Sequence, residues 1–275
     1  MALVLALGSG MTFGAADFVG GLAAKRAPAT TVTLVSQALG LVVLAALLPL
    51  LPGQASIAAF TSGALAGVAG CVGLVAYLRA LALGPMGVVS PLASVVGVMV
   101  PVVAGLVAGE RPTLLATVGI VLGVAAVTVV AGGSPGAQRW TAAGPVLALA
   151  GGGAFGVFFV LLDLTPDGSG LWPLVGARLS SLTLLSAVVA MTRQAWPSRA
   201  VLPGVALSGA LDMVANVLFL LATRTGLLTI TALLTSLYPV VVVVLARQVL
   251  AERLGRPQVV AVGLSLAAVG VITVG

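Results

Sequence analysis

Asp17 is the most informative residue of this chain. It stands between Phe13 and Phe18 in an apolar run that begins at Leu3. A carboxylate at that depth in hydrocarbon is costly unless it faces protein or water, and such residues mark ion or substrate routes. Asp17 is therefore a candidate proton carrier or binding group, although a carboxylate here could also cap a break near Gly20-Gly21. Asp212 and Asn216 lie four residues apart, which puts them on one face of a helix. Arg178 is also set in apolar sequence. A buried guanidinium needs a partner, and Asp212 or Asp17 is the natural one. Such a pair could be permanent, or it could open when an anionic group competes for the fork of donors. Gln37, Tyr77, Ser94, Thr235, Ser236 and Tyr238 complete the candidate set for a mixed polar and apolar cavity. Any one of them could equally be a packing residue with a satisfied side chain. Pro91, Pro101 and Pro239 interrupt apolar runs and are candidate hinge or gate positions.

The chemistry open to these residues is limited. The chain has no histidine and a single cysteine, Cys71. Imidazole catalysis, an internal disulfide and a cysteine metal cluster are all excluded, and no resident cofactor or metal is expected. No phosphate-binding loop or ATPase motif is present. An intramembrane enzyme would need a nucleophile and base built from Asp17 or Asp212, and no catalytic spacing supports one.

The composition decides the class of element that holds these groups. Of 275 residues, 60% are apolar and 7% charged, with 12 Lys+Arg against 6 Asp+Glu. A soluble domain needs a skin of roughly 25% charged residues. The basic residues are dispersed, which excludes a nucleic-acid binder. The expected class is an all-alpha polytopic membrane protein. A bilayer core takes roughly 20 helical residues per span. Breaks at Lys25-Arg26, 49–54, 79–85, 109–112, 132–139, 163–170, 193–199, 223–226 and 252–257 predict ten transmembrane helices. They cover 3–23, 31–50, 60–78, 86–108, 113–131, 142–162, 172–191, 201–221, 227–246 and 258–274. The first is read as a retained span, not a cleaved signal. A beta-barrel is a poor alternative for apolar runs of this length. Trp140, Trp172 and Trp196 fall near span ends as interfacial anchors. Gly63, Gly67, Gly70 and Gly73 give one helix a face of small residues for close packing.

The chain also repeats. A shift of 142 carries Leu5, Leu7, Gly10, Phe13 and Gly14 onto Leu147, Leu149, Gly152, Phe155 and Gly156. It carries Leu92 and Ser94 onto Leu234 and Ser236, and Glu110-Arg111 onto Glu252-Arg253. These two Glu-Arg pairs are expected to hold loops at helix junctions. The repeat predicts two five-helix units, 1–133 and 134–275. An odd number of spans turns the second unit over, giving two inverted repeats, an architecture of carriers that alternate their access.

The pattern Gly84-Pro85, Ser94, Gly109-Glu110-Arg111, Gly119, followed by Gly226, Ser236-Leu237-Tyr238-Pro239, Glu252-Arg253, Gly263 and Gly270, resembles the EamA-type repeat of the drug/metabolite transporter superfamily. The resemblance covers nearly the whole chain as two tandem units. Tyr238-Pro239 departs from it, since Val96-Gly97 stands at the matching place. The resemblance implies a ten-helix secondary carrier, often an exporter of amino acids, metabolites or drugs. It also implies both termini inside the cell. That orientation leaves only Arg111 and Arg224 in the inner loops and most basic residues outside, against the positive-inside rule. The expected function is export of a small molecule across a cell membrane, with a bacterial source, by alternating access coupled to protons. Membrane lipids and a small-molecule substrate are the expected partners, with the chain a monomer or homodimer. A lipid flippase or a non-transporting membrane scaffold is the alternative.

Overall fold

The computed structural model describes residues 2–107, parts of 114–125, and residues 143–166, 168–225, 235, 238–251 and 256–274. Within them the chain is helical: α1 (Ala2–Ala24), α2 (Ala29–Leu47), α3 (Ile57–Leu83), α4 (Met86–Val107), α5 (Ala143–Asp163), α6 (Trp172–Thr192), α7 (Leu202–Thr225), α8 (Tyr238–Val249) and α9 (Arg256–Val274). Six helical stretches among the described residues are long and apolar enough to cross a membrane: Leu3–Ala24, Ala29–Leu50 (α2 with the 3-10 turn Leu48–Leu50 that follows it), Ile57–Leu83, Ala143–Leu162, Trp172–Thr192 and Leu202–Ala222. The expected span 113–131 lies largely outside the described residues, as do Glu110, Arg111, Trp140, Ser236, Glu252 and Arg253.

Local chemistry sets most of the helix ends. Pro28, extended at φ −58° and ψ 132°, separates α1 from α2. Ser56 caps α3 by accepting the Ala59 N–H at 3.0 Å, filling one of the donors a helix start leaves unpaired. Pro173 sits in the first turn of α6, where its missing N–H is not needed. Two helix ends differ from the sequence expectation. The chain does not break at Arg79: α3 runs on to Leu83 and stops at Gly84-Pro85. Arg79 is exposed, so its long stem can carry the charge away from the apolar helix without ending it. Likewise α7 continues through Arg224 to Thr225. In α4 the helix passes through both Pro91 and Pro101.

The surface is apolar and the interior holds the polar groups. Val4, Val42, Ile57, Leu65, Val146 and Met191 are exposed. Ser9, Thr33, Gln37, Ser90, Ser94, Arg178, Ser181, Ser208 and Asn216 are buried. A chain in water would place them the other way round. Hydrocarbon solvates the outer valines and leucines and cannot solvate the inner polar groups.

Helices related by the 142-residue shift pack in matching pairs. α1 packs on α7 and α8, while α5 packs on α3 and α4; α2 packs on α7, and α6 on α3. The match reaches single residues. A Cβ on Gly67 would overlap the Ala177 carbonyl of α6, and one on its mate Gly209 would overlap the Ser36 carbonyl of α2. Serines sit at these close crossings and reach carbonyls of the other helix: Ser9 to Ala215 (2.8 Å), Ser208 to Ala16 (2.9 Å), Ser36 to Val205 (3.2 Å) and Ser181 to Gly67 (2.8 Å). The glycine face of α3 is therefore shared. Gly63 and Gly67 meet α6, whereas Gly70 and Gly73 meet α5. Small residues bring the backbones close enough for packing and hydrogen bonds to hold helices that gain nothing from expelling water.

Candidate functional site

The crossing helices leave a partly open cavity of about 60 Å³. Its wall takes side chains from α1, α2, α3, α5, α6 and α7. The polar part is Gln37, Arg178, Ser181, Asp212 and Asn216; the apolar part includes Phe13, Phe155, Phe158 and Phe159. Three pairs related by the 142-residue shift line it together: Phe13 with Phe155, Gly70 with Asp212, and Leu74 with Asn216. The cavity thus sits where the two halves of the chain meet. Gln37, Gly67 and Asp212 all fall near the middle of their helices, which places it at mid-depth.

Arg178 pairs with Asp212 and not with Asp17. Its Nη2 donates to the Asp212 carboxylate at 2.5 Å, with the arginine side chain 7% exposed and the aspartate side chain 18%. The guanidinium lies near Gly40 of α2, where a Cβ would stand in ordinary contact, 3.5 Å from Arg178 Cζ and Nε. Asn216 turns its amide back to donate to the Asp212 carbonyl at 2.8 Å, one turn earlier on the same helix. Gln37 is 5% exposed, and its Oε1 has no hydrogen-bond partner among the described residues.

Asp17 belongs to a second polar cluster beside the cavity. Its carboxyl interacts with the Tyr77 phenol and feels the charge of Asp212. The Tyr77 hydroxyl is buried and lies 2.8 Å from Ser90 Oγ, within hydrogen-bonding distance. Tyr238 interacts electrostatically with Asp17 and hydrogen-bonds Ser94. The cluster draws on α1, α3, α4 and α8. Among the described residues no lysine or arginine forms an ion pair with Asp17.

The sequence candidates therefore separate. Gln37, Arg178, Asp212 and Asn216 come together in the cavity. Asp17, Tyr77, Ser94 and Tyr238 gather beside it. Thr235 joins neither; its hydroxyl reaches the Ala6 carbonyl of α1 at 3.4 Å, a packing contact. Ser236 lies outside the described residues. Pro91 is buried in α4 between Ser90 and Ser94, and Pro239 is buried in the first turn of α8. Sequence reasoning did not single out Ser90, Ser181 or the phenylalanine wall. A buried tyrosine hydroxyl calls for a partner, which points toward Ser90. The repeat itself marked Phe13 and Phe155.

The profile of the EamA-like transporter family matches residues 1–132 and again 142–274. No curated protein matches the chain. A solved structure described only as "Crystal structure of protein" shares the fold, with a TM-score of 0.69 at 17% identity, covering 99% of this chain and 96% of its own. Two matches to one family profile, together spanning nearly the whole length, fit the paired helix contacts and the apolar exterior: the chain belongs to the EamA-like transporter family and is a multi-pass membrane protein of the drug/metabolite transporter superfamily.

Proposed function

We propose that this chain is a secondary active exporter of small metabolites, amino acids or drugs, working by alternating access across a bacterial cell membrane. Two five-helix units, 1–133 and 134–275, set in opposite orientation, form its ten spans. The observation that carries this reading is the lining of the cavity by the related pairs Phe13/Phe155, Gly70/Asp212 and Leu74/Asn216. A site on the relation between two inverted units can be exposed to either side by the same rearrangement run in opposite senses. Cargo occupies the cavity, where Arg178, Asp212, Asn216 and Gln37 bind its polar groups and the phenylalanines take its apolar part. Asp17, reached through Asp212 and Tyr77, carries the coupling proton. Glycine and serine crossings let α3, α6 and α7 shift without unlocking long side chains.

The test is a comparison of extracellular solutes between a deletion strain, the parent and an overexpressing strain. Export predicts a small molecule that accumulates outside in proportion to expression. A change confined to the distribution of membrane lipids between leaflets would refute small-molecule export and select the flippase reading.

A further inference from the structure

The two ends of the helix bundle differ in charge. At one end the α2–α3 loop meets the α5–α6 loop, where the Gln54 N–H donates to the Gly168 carbonyl at 2.9 Å. The described residues of that end include one cation, Arg224, and its guanidinium is engaged with Thr165 Oγ1 at 3.2 Å and the Pro166 carbonyl at 3.4 Å. At the other end the turn between α1 and α2 meets the loop between α6 and α7: the Thr31 hydroxyl reaches the Ala195 carbonyl at 3.0 Å. Lys25 and Arg26 stand in the turn and Arg193 and Arg199 in the loop, all four exposed. Neither segment, 25–31 or 193–201, contains an acidic residue. Among the described residues none of the four enters an ion pair. The ends of α1, α3 and α8 and the start of α7 lie here too, since Ala23, Leu81, Ala246 and Val201 share one core cluster. Exposed Arg79 and Arg247 therefore belong to the same end, on other helices. Helix dipoles account for part of this charge. Lys25, Arg26 and Arg193 follow helix C-termini, where a cation is favoured. Arg199 stands just before α7, where it is disfavoured. An anion from outside the chain accounts for all four. Trp196, between Arg193 and Arg199, and Met191, just before them, are exposed as well. An indole at a span end belongs at headgroup level, with its ring in apolar surroundings and its N–H wet.

We infer that the meeting of these two segments is a binding surface for an anionic phospholipid, with Lys25, Arg26, Arg193 and Arg199 around its phosphodiester headgroup and Trp196 and Met191 against its glycerol and upper acyl chains. Inorganic phosphate would find the same four charges but offers nothing to the exposed indole and thioether. Each cation near a headgroup layer strengthens the attraction about fivefold, and salt weakens it. The bound lipid ties the start of α2 to the end of α6, the two helices that carry Gln37 and Arg178.

The experiment mixes the purified full-length chain, in a nonionic detergent, with equimolar phosphatidylglycerol and phosphatidylcholine of the same acyl chains. The lipids retained after gel filtration are counted by mass spectrometry. Phosphatidylglycerol should be retained over phosphatidylcholine by roughly tenfold or more, and the ratio should fall as salt is added. The variant Lys25→Gln/Arg26→Gln/Arg193→Gln/Arg199→Gln should bring the ratio close to one. Arg79→Gln/Arg247→Gln, at the same end but on other helices, should keep most of it. Inorganic phosphate in large excess should leave the lipid bound. A ratio near one in the wild type, or an unchanged ratio in the fourfold variant, would overturn the inference. An equal loss in the two variants would reduce the surface to net charge and overturn it too. Displacement by inorganic phosphate would make it a small-anion site and reject the lipid. The wild-type ratio and the phosphate competition need no variant, so misfolding of the fourfold variant does not remove the test.

Discussion

Arg178 on α6 and Asp212 on α7 form an ion pair 34 residues apart in sequence, one hydrogen bond of 2.5 Å closing it at mid-depth in the bundle. The shift of 142 maps them onto Ser36 and Gly70, so the pair exists once while the helix crossings around it exist twice. The scaffold is close to symmetric and the charge it holds is not.

Breaking this pair from one side strands a charge in the interior. Arg178→Met or Asp212→Leu alone should destabilise the protein by about 3–5 kcal/mol. The double variant should regain most of that loss, because two apolar side chains need no partner. Thermal unfolding of the detergent-solubilised chain measures all three. A double variant as unstable as the worse single one would show that the charges do not depend on each other.

The close crossing of α3 on α6 predicts intolerance of even one added methyl group. Gly67→Ala places a Cβ into the Ala177 carbonyl and should cost about 1–3 kcal/mol. Gly263 in α9 is the control, since nothing among the described residues stands within 4 Å of a Cβ there. Gly263→Ala should be neutral or stabilising by up to about 1 kcal/mol, as alanine suits a helix better than glycine. Equal losses at both positions in a thermal melt would deny the crossing its role.

Ser56 supplies the cap that starts α3. Ser56→Ala should lose about 1 kcal/mol. Hydrogen exchange should quicken in the first turn, at the Ala59 amide above all, while exchange at mid-helix stays slow. Uniform quickening along α3 would mean that the helix start is held by something other than the hydroxyl.

Asp17 is assigned the coupling proton. With the transported solute in proteoliposomes, Asp17→Asn should remove the dependence of flux on the pH gradient while leaving exchange down a solute gradient. Flux in that variant that still follows the pH gradient would take Asp17 out of the coupling step.

Much of the helix pattern was legible because breaks in a chain this apolar fall where charges, proline and glycine cluster. It misled at Arg79, since one exposed arginine near a helix end can carry its charge away along its own stem. The repeat was legible in Phe13, Gly14, Phe155 and Gly156. What it meant for packing was not: each half packs against the other more than against itself, and that depends on crossing geometry that no spacing encodes. The need of Arg178 for a partner followed from its type and setting. The choice of Asp212 over Asp17 did not, because it depends on how α6 and α7 are placed in space. The phenylalanine wall stayed hidden because phenylalanine in an apolar run carries no sign of which side it faces. The charges pose a question of orientation that burial does not dissolve: Lys25, Arg26, Arg79, Arg193, Arg199, Arg247 and Arg256 are all exposed.

The central claim is that one cavity at the meeting of the two halves faces each side of the membrane in turn. Two-sided labelling tests it most directly. A cysteine replacing Asn216, in a Cys71→Ala background, is exposed to a membrane-impermeant thiol reagent in right-side-out and in inside-out vesicles. The account predicts labelling from both sides, slowed from both by the cargo. Labelling from one side only, or from neither, would contradict it.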